Sequence, residues 1–302
     1  MKFSLIIPVA PYRGCEIMGS IKKLDYQKKE FEVITEHGYN PSDNRNRAIR
    51  KAKGRYLVFL DDDGILERDY LKQAERFLKK NPDVDIVGGP QLTPPSDKYF
   101  ARTSGYVMSS WFGTYTMSSR YSKRSENLDA DEYSLTSANC IAKREVFRKI
   151  KPFDPRLFPG EDPELYARAK KAGFRLAYTP ALIMYHRRRA AFSSYCKQFF
   201  KYGFVRMQKE KISKTPVLMV NPVFFIPSLF VLYLITLPFW LAVHAVFIWP
   251  LIAYFVLVIL FSVYEAHNQR DLKAFPLLPF LYLSMHVSYG LGMIWNLLRK
   301  KP

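Results

Sequence analysis

Phe59-Leu60-Asp61-Asp62-Asp63-Gly64 follows directly on Tyr56-Leu57-Val58. An apolar run rich in β-formers therefore ends in three consecutive carboxylates, the pattern of a buried parallel strand that delivers charge to the rim of a sheet. Ligands of open α/β sheets bind at that rim, beyond the carboxyl ends of the strands. Three adjacent acids repel one another, so the cluster calls for a positive partner, most simply a divalent cation. A solvated acidic turn at a strand end shows the same six residues, and the rest of the chain decides between the two.

Upstream, Phe3-Ser4-Leu5-Ile6-Ile7-Pro8-Val9 and Phe31-Glu32-Val33-Ile34 read as strands, the second ending at Thr35-Glu36-His37-Gly38. Between Asp43 and Lys53, Ala48, Ile49 and Ala52 recur at helical spacing, with Ser42 or Asp43 to cap the start and Gly54 the end. Downstream, residues 67–80 place Tyr70, Leu71, Ala74, Phe77 and Leu78 on one helical face, Asn81-Pro82 stops them, and Asp85-Ile86-Val87 leads into Gly88-Gly89. Strands and helices alternating in this order predict right-handed crossovers and an α/β, Rossmann-like, mostly parallel sheet with helices on both faces. Residues 90–133 show no sustained period and read as a long functional loop. The pattern resumes with a helix at 143–150 and another opened by Gly160-Glu161-Asp162-Pro163, where Asp before Pro reads as an N-cap with Pro at N1. Short strands at 174–178 and 181–185 then lead to His186-Arg187-Arg188-Arg189.

The 302 residues carry 46 Lys and Arg against 27 Asp and Glu, a net charge of +19. From Pro216 onward only five basic and two acidic residues occur, so nearly all of that excess lies in residues 1–215. Such an excess suits nucleic acid, an anionic membrane surface or phosphorylated substrates. Nucleic acid is not expected as a partner, because the basic residues concentrate beside apolar segments and form no recognisable binding module. Cys15, Cys140 and Cys196 have no CxxC spacing and fit neither a disulfide framework nor a zinc site, which points to a reducing cytoplasm. The N-terminal apolar run is too short for a signal peptide, so the polar part is expected to stay cytoplasmic.

From residue 190 to 214, Phe192, Tyr195, Phe199 and Tyr202 recur at roughly helical spacing among Lys197, Lys201, Arg206, Lys209 and Lys211. This reads as an amphipathic helix in a membrane interface, against the competing reading of a domain-closing helix with a solvated basic face. Residues 215–264 are fifty in a row without Lys, Arg, Asp or Glu, well beyond the ~20 that one crossing needs. The interior prolines place a break between two crossings near residues 238–250. A third apolar stretch, 274–298, contains Pro276, Pro279, Gly290 and Gly292. Were all three to cross, Arg299-Lys300-Lys301 would lie outside against the positive-inside rule, so the third reads as the weakest, transmembrane or re-entrant. His244 and His286 read as buried, hydrogen-bonded structural residues. The expected organisation is 1–189 for the catalytic domain, 190–215 for the interface segment and 216–302 for a multi-pass domain in the cell membrane.

Taken in order, Ser4-Leu5-Ile6-Ile7-Pro8-Val9, Asn44-Arg45-Asn46-Arg47-Ala48, Phe59-Leu60-Asp61-Asp62-Asp63, Ser137-Ala138-Asn139, Gly160-Glu161-Asp162 and Tyr185-His186 resemble the landmarks of family 2 glycosyltransferases with a GT-A fold. The region downstream more loosely resembles that of membrane-attached members of succinoglycan-type polysaccharide biosynthesis. The resemblance implies that Pro8, Glu36, Arg45 and Asp61 contact a nucleotide-sugar donor, and that Asp63 and His186 bind a divalent metal, Mn2+ or Mg2+, on its diphosphate. Asp62 is then a solvated neighbour. Thr35-Glu36-His37-Gly38 departs from the family's usual Asp-Asp-Gly-Ser, which leaves the base unidentified. Asp162, with Glu161, takes the place of the catalytic base. A base is what a sugar hydroxyl needs and what an already ionised polyprenyl phosphate does not, so the expected acceptor is a hydroxyl of a lipid-linked saccharide. Arg187, Arg188, Lys201 and Arg206 would hold the lipid phosphate, or serve as plain positive-inside anchors. The expectation is thus an inverting transferase at the cytoplasmic membrane face. A polyprenyl-phosphate hexose synthase, and a catalytically silent scaffold that senses nucleotide sugars, are the alternatives.

Overall fold

The computed structural model describes residues 1–213 and 222–299, the side chains of 208–213 excepted. The basic positions 209, 211 and 214 and the terminal 300 and 301 therefore lie outside the described side chains. The chain divides into two compact units, one of Met1–Pro95 with Thr116–Arg187 and one of Ser96–Tyr115 with Arg188–Pro302.

The first unit is built on nine strands: β1 Phe3–Val9, β2 Phe31–His37, β3 Tyr56–Leu60, β4 Gly64–Leu66, β5 Ile86–Gly88, β6 Gln91–Leu92, β7 Asn139–Lys143, β8 Leu176–Tyr178 and β9 Met184–His186. Six form one sheet in the order β2-β1-β3-β7-β5-β8. β1 lies parallel to β2 and β3, and β5 parallel to β8, while β7 runs antiparallel to both its neighbours. The fold is mixed α/β of the GT-A type. Alternation along β1 and β3 sends side chains to two cores: Leu5, Ile7, Val58 and Leu60 into one, Ile6, Leu57 and Phe59 into the other. Helix α3 (Tyr70–Lys80) closes the first core with Tyr70, Leu71, Ala74, Phe77 and Leu78. Helices α2 (Pro41–Lys51) and α7 (Glu161–Lys171) close the second with Ala48, Leu165, Tyr166 and Ala169. Burying each large aliphatic side chain contributes about 2 kcal/mol. Short helices α1 (Met18–Ile21) and α6 (Val146–Lys149) complete this unit.

Several local expectations give way. Asn40, whose side chain accepts from the Ser42 N–H, caps α2 ahead of Pro41, in place of Ser42 or Asp43. Gly54 does not cap the end of α2; a Cβ there would lie 2.6 Å from the Phe3 carbonyl carbon, so close backbone packing requires it. The helix expected at 143–150 shrinks to one turn because Asn139–Lys143 is taken up as a strand between β3 and β5. The stretch 90–133 contains helix α4 (Tyr99–Ser109) and the short α5 (Trp111–Thr114), which group with the second unit. Helix α4 buries Ala101, Thr103, Ser104, Gly105, Val107, Met108 and Ser109, so no one-sided apolar stripe marks it.

The second unit is helical, adding α8 (Phe192–Ser213), α9 (Ile226–Val243), α10 (Trp249–Asn268) and α11 (Leu278–Leu298). Among the described residues, Pro222–Val243 and Ala245–Asn268 are long and apolar enough to cross a membrane. His244 breaks the chain between them; it is exposed and its Nδ1 accepts from the Val246 N–H at 3.0 Å, so it is a cap and not the buried histidine expected. His286 is buried as expected, 3.0 Å from the Tyr254 hydroxyl and 3.2 Å from the Phe112 carbonyl. Helix α11 buries Leu278, Leu281, Tyr282, Met285 and Met293. A Cβ on Gly292 would lie 2.0 Å from the Phe200 carbonyl oxygen, so a glycine read as weakening this helix is its packing seam against α8. Tyr195 and Phe199 of α8 are buried, with the Tyr195 hydroxyl donating to the Leu281 carbonyl at 3.1 Å; Phe192 and Phe200 remain exposed.

Candidate active site

Strand β3 stops at buried Leu60, and Asp61, Asp62 and Asp63 form the tight turn into β4, closed by the Gly64 N–H on the Asp61 carbonyl at 3.3 Å. Antiparallel pairing places Gly64 opposite His186 of β9. That register brings residues more than a hundred positions apart together, with His186 Nε2 3.0 Å from Asp63 Oδ1 and 3.8 Å from Asp61 Oδ2. One ligand atom from each of Asp61, Asp63 and His186 lies within 4.8 Å of the others. Two carboxylates and an imidazole are a donor set that fits Mn2+ or Mg2+.

The acids are not otherwise unpartnered. Arg45 Nη2 lies 3.0 Å from Asp61 Oδ1, Arg13 Nη1 lies 3.4 Å from Asp62 Oδ1, and Arg13 Nη2 hydrogen-bonds Asp63 Oδ2. The positive charge that the triple acid demands is thus supplied by arginines, and the repulsion argument by itself does not require an ion. Burial works against the Asp63 anion, but the hydrogen bond with His186 and the charge of Arg13 hold its carboxyl well below the usual range. Asp62 is not a solvated neighbour: it is buried, and that burial pushes its carboxyl up, with Arg13 offsetting part.

The second acidic pair opens α7. Gly160, with φ of 118°, takes the N-cap position, so Glu161 is N1, Asp162 N2 and Pro163 N3. Asp162 is therefore not the cap. Its Oδ2 instead accepts from the Ser137 N–H at 3.3 Å and lies 3.7 Å from Arg120 Nη1, leaving Oδ1 for other partners. Arg120 is itself buried and donates to the carbonyls of Tyr133 and Glu132. Glu161 is buried with Arg45 Nη1 at 2.7 Å; burial raises its carboxyl above the ordinary value, and Arg45 offsets only part of that. One buried guanidinium thus joins Asp61 at the end of β3 to Glu161 at the start of α7.

Of the remaining expected donor contacts, Pro8 lies in β1 opposite Glu36 and beyond Ile6, the last residue paired with β3, where its missing N–H costs no ladder bond on that side. Glu36 is buried and its carboxylate is taken by Arg47 at 3.0 Å and Lys51 at 2.5 Å. Arg187, in the first unit, is exposed with Nε 3.7 Å from Glu16. In the second unit Arg188 is buried and its N–H donates to Asp97 at 3.1 Å. Lys201 is exposed, and Arg206 lies 4.0 Å over the Phe224 ring with Nε 3.2 Å from the Tyr289 hydroxyl. No local sequence pattern marks Arg13 or Arg120, although Arg13 follows the end of β1 at the same rim.

Glycosyl transferase family group 2 matches residues 56–265, and the chain belongs to that family. It is 22% identical over 148 residues to an uncharacterized glycosyltransferase of Methanocaldococcus jannaschii, 48% of this chain and 47% of that protein. It is 27% identical over 119 residues to the poly(ribitol-phosphate) beta-N-acetylglucosaminyltransferase TarS of Staphylococcus aureus, 29% of this chain and 21% of that one. The chain thus aligns with about half of the first relative's length and about a fifth of the second's. Among solved structures, the mannosyltransferase PcManGT of Pyrobaculum calidifontis, in complex with GDP-Man and Mn2+, superposes with a TM-score of 0.57 at 14% identity, over 99% of this chain and 88% of that one. That likeness is one of fold.

Proposed function

We propose that the protein is an inverting, metal-dependent glycosyltransferase that moves a sugar from a nucleotide-sugar donor to a hydroxyl of a lipid-linked saccharide at a membrane face. The observation that carries the reading is Arg45, which ties Asp61 to Glu161, the sequence neighbour of the proposed base Asp162. Asp61, Asp63 and His186 would hold a divalent cation, whose charge would stabilise the leaving diphosphate. Arg45 fixes the spacing between that end of the site and α7. Asp162, anchored through Oδ2 by the Ser137 N–H, takes the acceptor's proton on Oδ1.

Support for the membrane setting comes from the two apolar helices and their exposed Leu232, Ile235, Phe239, Phe255, Leu260 and Val263. In this reading the candidates for the lipid phosphate are Arg187 in the first unit and Arg188, Lys201 and Arg206 in the second, of which Arg187 and Lys201 are exposed. The full chain in membranes should release nucleoside diphosphate only with Mn2+ or Mg2+ and a lipid-linked saccharide, and mass spectrometry of the lipid product should show one added sugar. A product consisting of one sugar on polyprenyl monophosphate would overturn the acceptor assignment in favour of a polyprenyl-phosphate hexose synthase.

A further inference from the structure

Arg13 has no part in the reaction proposed above. It is presented by the loop after β1, Ala10-Pro11-Tyr12-Arg13-Gly14, whose turn is closed by the Arg13 N–H on the Ala10 carbonyl at 3.2 Å. Tyr12 in that turn has φ of 61° and a fully exposed side chain. A non-glycine residue held in the left-handed region costs on the order of 1 kcal/mol, and the Tyr12 ring recovers none of it by packing. What the conformation achieves is the placement of Arg13 on two carboxylates, with Nη2 on Asp63 Oδ2 and Nη1 3.4 Å from Asp62 Oδ1. The other oxygen of Asp63 faces His186. Both oxygens of a proposed metal ligand are therefore occupied, one of them by a protein cation. The two sides of the pair differ in freedom: the Arg13 side chain is 49% exposed, against 6% for Asp62 and 20% for Asp63. Arg13 can swing into solvent without opening a core, whereas the carboxylates are fixed in the turn.

We propose that Arg13 is an exchangeable counter-ion of the metal site, an inference that rests on the metal reading above. Without a divalent cation it neutralises Asp63. When Asp61, Asp63 and His186 take up a cation, like-charge repulsion drives the guanidinium off Oδ2. It then pairs with the donor's diphosphate, whose oxygens its planar fork fits two at a time. Metal and diphosphate consequently strengthen each other's binding, since each releases or captures the same arginine.

The test is Mn2+ binding to the full chain in detergent, read from the electron paramagnetic resonance of free Mn2+, with Mn2+ alone and then with UDP or GDP. For the wild type, UDP or GDP should tighten Mn2+ binding. Arg13→Gln should bind Mn2+ alone about five- to tenfold more tightly, the loss of one charge-assisted hydrogen bond competing for Asp63, and should gain less from the nucleotide. Arg13→Lys, a point charge without the fork, should fall between. Circular dichroism should show all three folded, since Arg13 is half exposed. Asp63→Asn tests the metal reading itself: if it binds Mn2+ like the wild type, that reading fails. If Asp63→Asn loses Mn2+ while Arg13→Gln binds it no more tightly than the wild type, only the counter-ion role is overturned. Wild-type binding indifferent to both nucleotides also overturns it.

Discussion

At the end of β3, Asp62 and Asp63 meet an arginine that is half exposed, whereas at the start of α7, Glu161 and Asp162 meet two that are 4% and 6% exposed in their side chains. Both clusters sit within one unit, and both pair acids with arginines brought from elsewhere in the chain. The difference lies in what happens if a pair opens. Arg13 gains hydration on leaving, so its pair is cheap to exchange. Arg45 and Arg120 have no water to go to, and separating them from their acids would leave charges uncompensated in the interior. The first arrangement suits a place where ions and phosphates come and go. The second suits the proposed base, which must stay where it is, and Arg45, touching Asp61 as well as Glu161, fixes one cluster relative to the other.

The largest test of this contrast is Asp162→Asn. The amide oxygen keeps an acceptor for the Ser137 N–H, so the fold should persist, with a melting curve by circular dichroism close to wild type. Transfer should fall by about 10²–10⁴-fold, the range of a lost general base. Wild-type turnover would refute the role given to Asp162 and leave α7 a purely structural end of the site. Next in size is Arg45→Met, which strands a buried Glu161 and should cost roughly 3–5 kcal/mol in denaturant unfolding. Adding Glu161→Gln removes the uncompensated charge and should restore part of that loss. If the double variant is no more stable than the single one, Arg45 is not held by Glu161, and the fixed half of the comparison fails.

The rim was legible in the sequence because β3 and α3 obey their periods and the acids follow a fully apolar strand. His186 was legible through motif order alone, and its register with Gly64 supplies the physical reason. The arginines that distinguish the two clusters left no such signal. Arg13 and Asp63 are 50 residues apart, and a long flexible cation reaches its partner without any local pattern. Strand β7 was hidden because it opens with Asn139, whose side chain is spent on Tyr70, Pro90 and Leu182. Asp-Pro is a strong start signal that points to a cap at Asp162, yet Gly160 can adopt the left-handed backbone that places the cap two residues earlier.

Glu36 stands between the two kinds of pairing, a buried acid served by cations on α2, of which Lys51 is 65% exposed. The hydrogen bond from Lys51 comes first, burial opposes it, and Arg47 adds to it; together they hold the carboxyl below its ordinary 4.5. A depressed carboxyl stabilises the fold above its unfolded value and loses that contribution as pH falls through the folded one. Glu36→Gln should therefore be less stable than the wild type by about 1 kcal/mol at pH 7. The gap should close as the pH is taken below 4.5. Denaturant unfolding at pH 7 and at successively lower pH follows the gap as it closes. If Glu36 instead serves only to recognise the nucleotide base, the substitution will leave the unfolding curves unchanged and alter the preference between UDP and GDP. That outcome would place Glu36 with Arg13 among the groups that exchange partners, and would move the boundary between the fixed and exchangeable parts of the site to the end of β2.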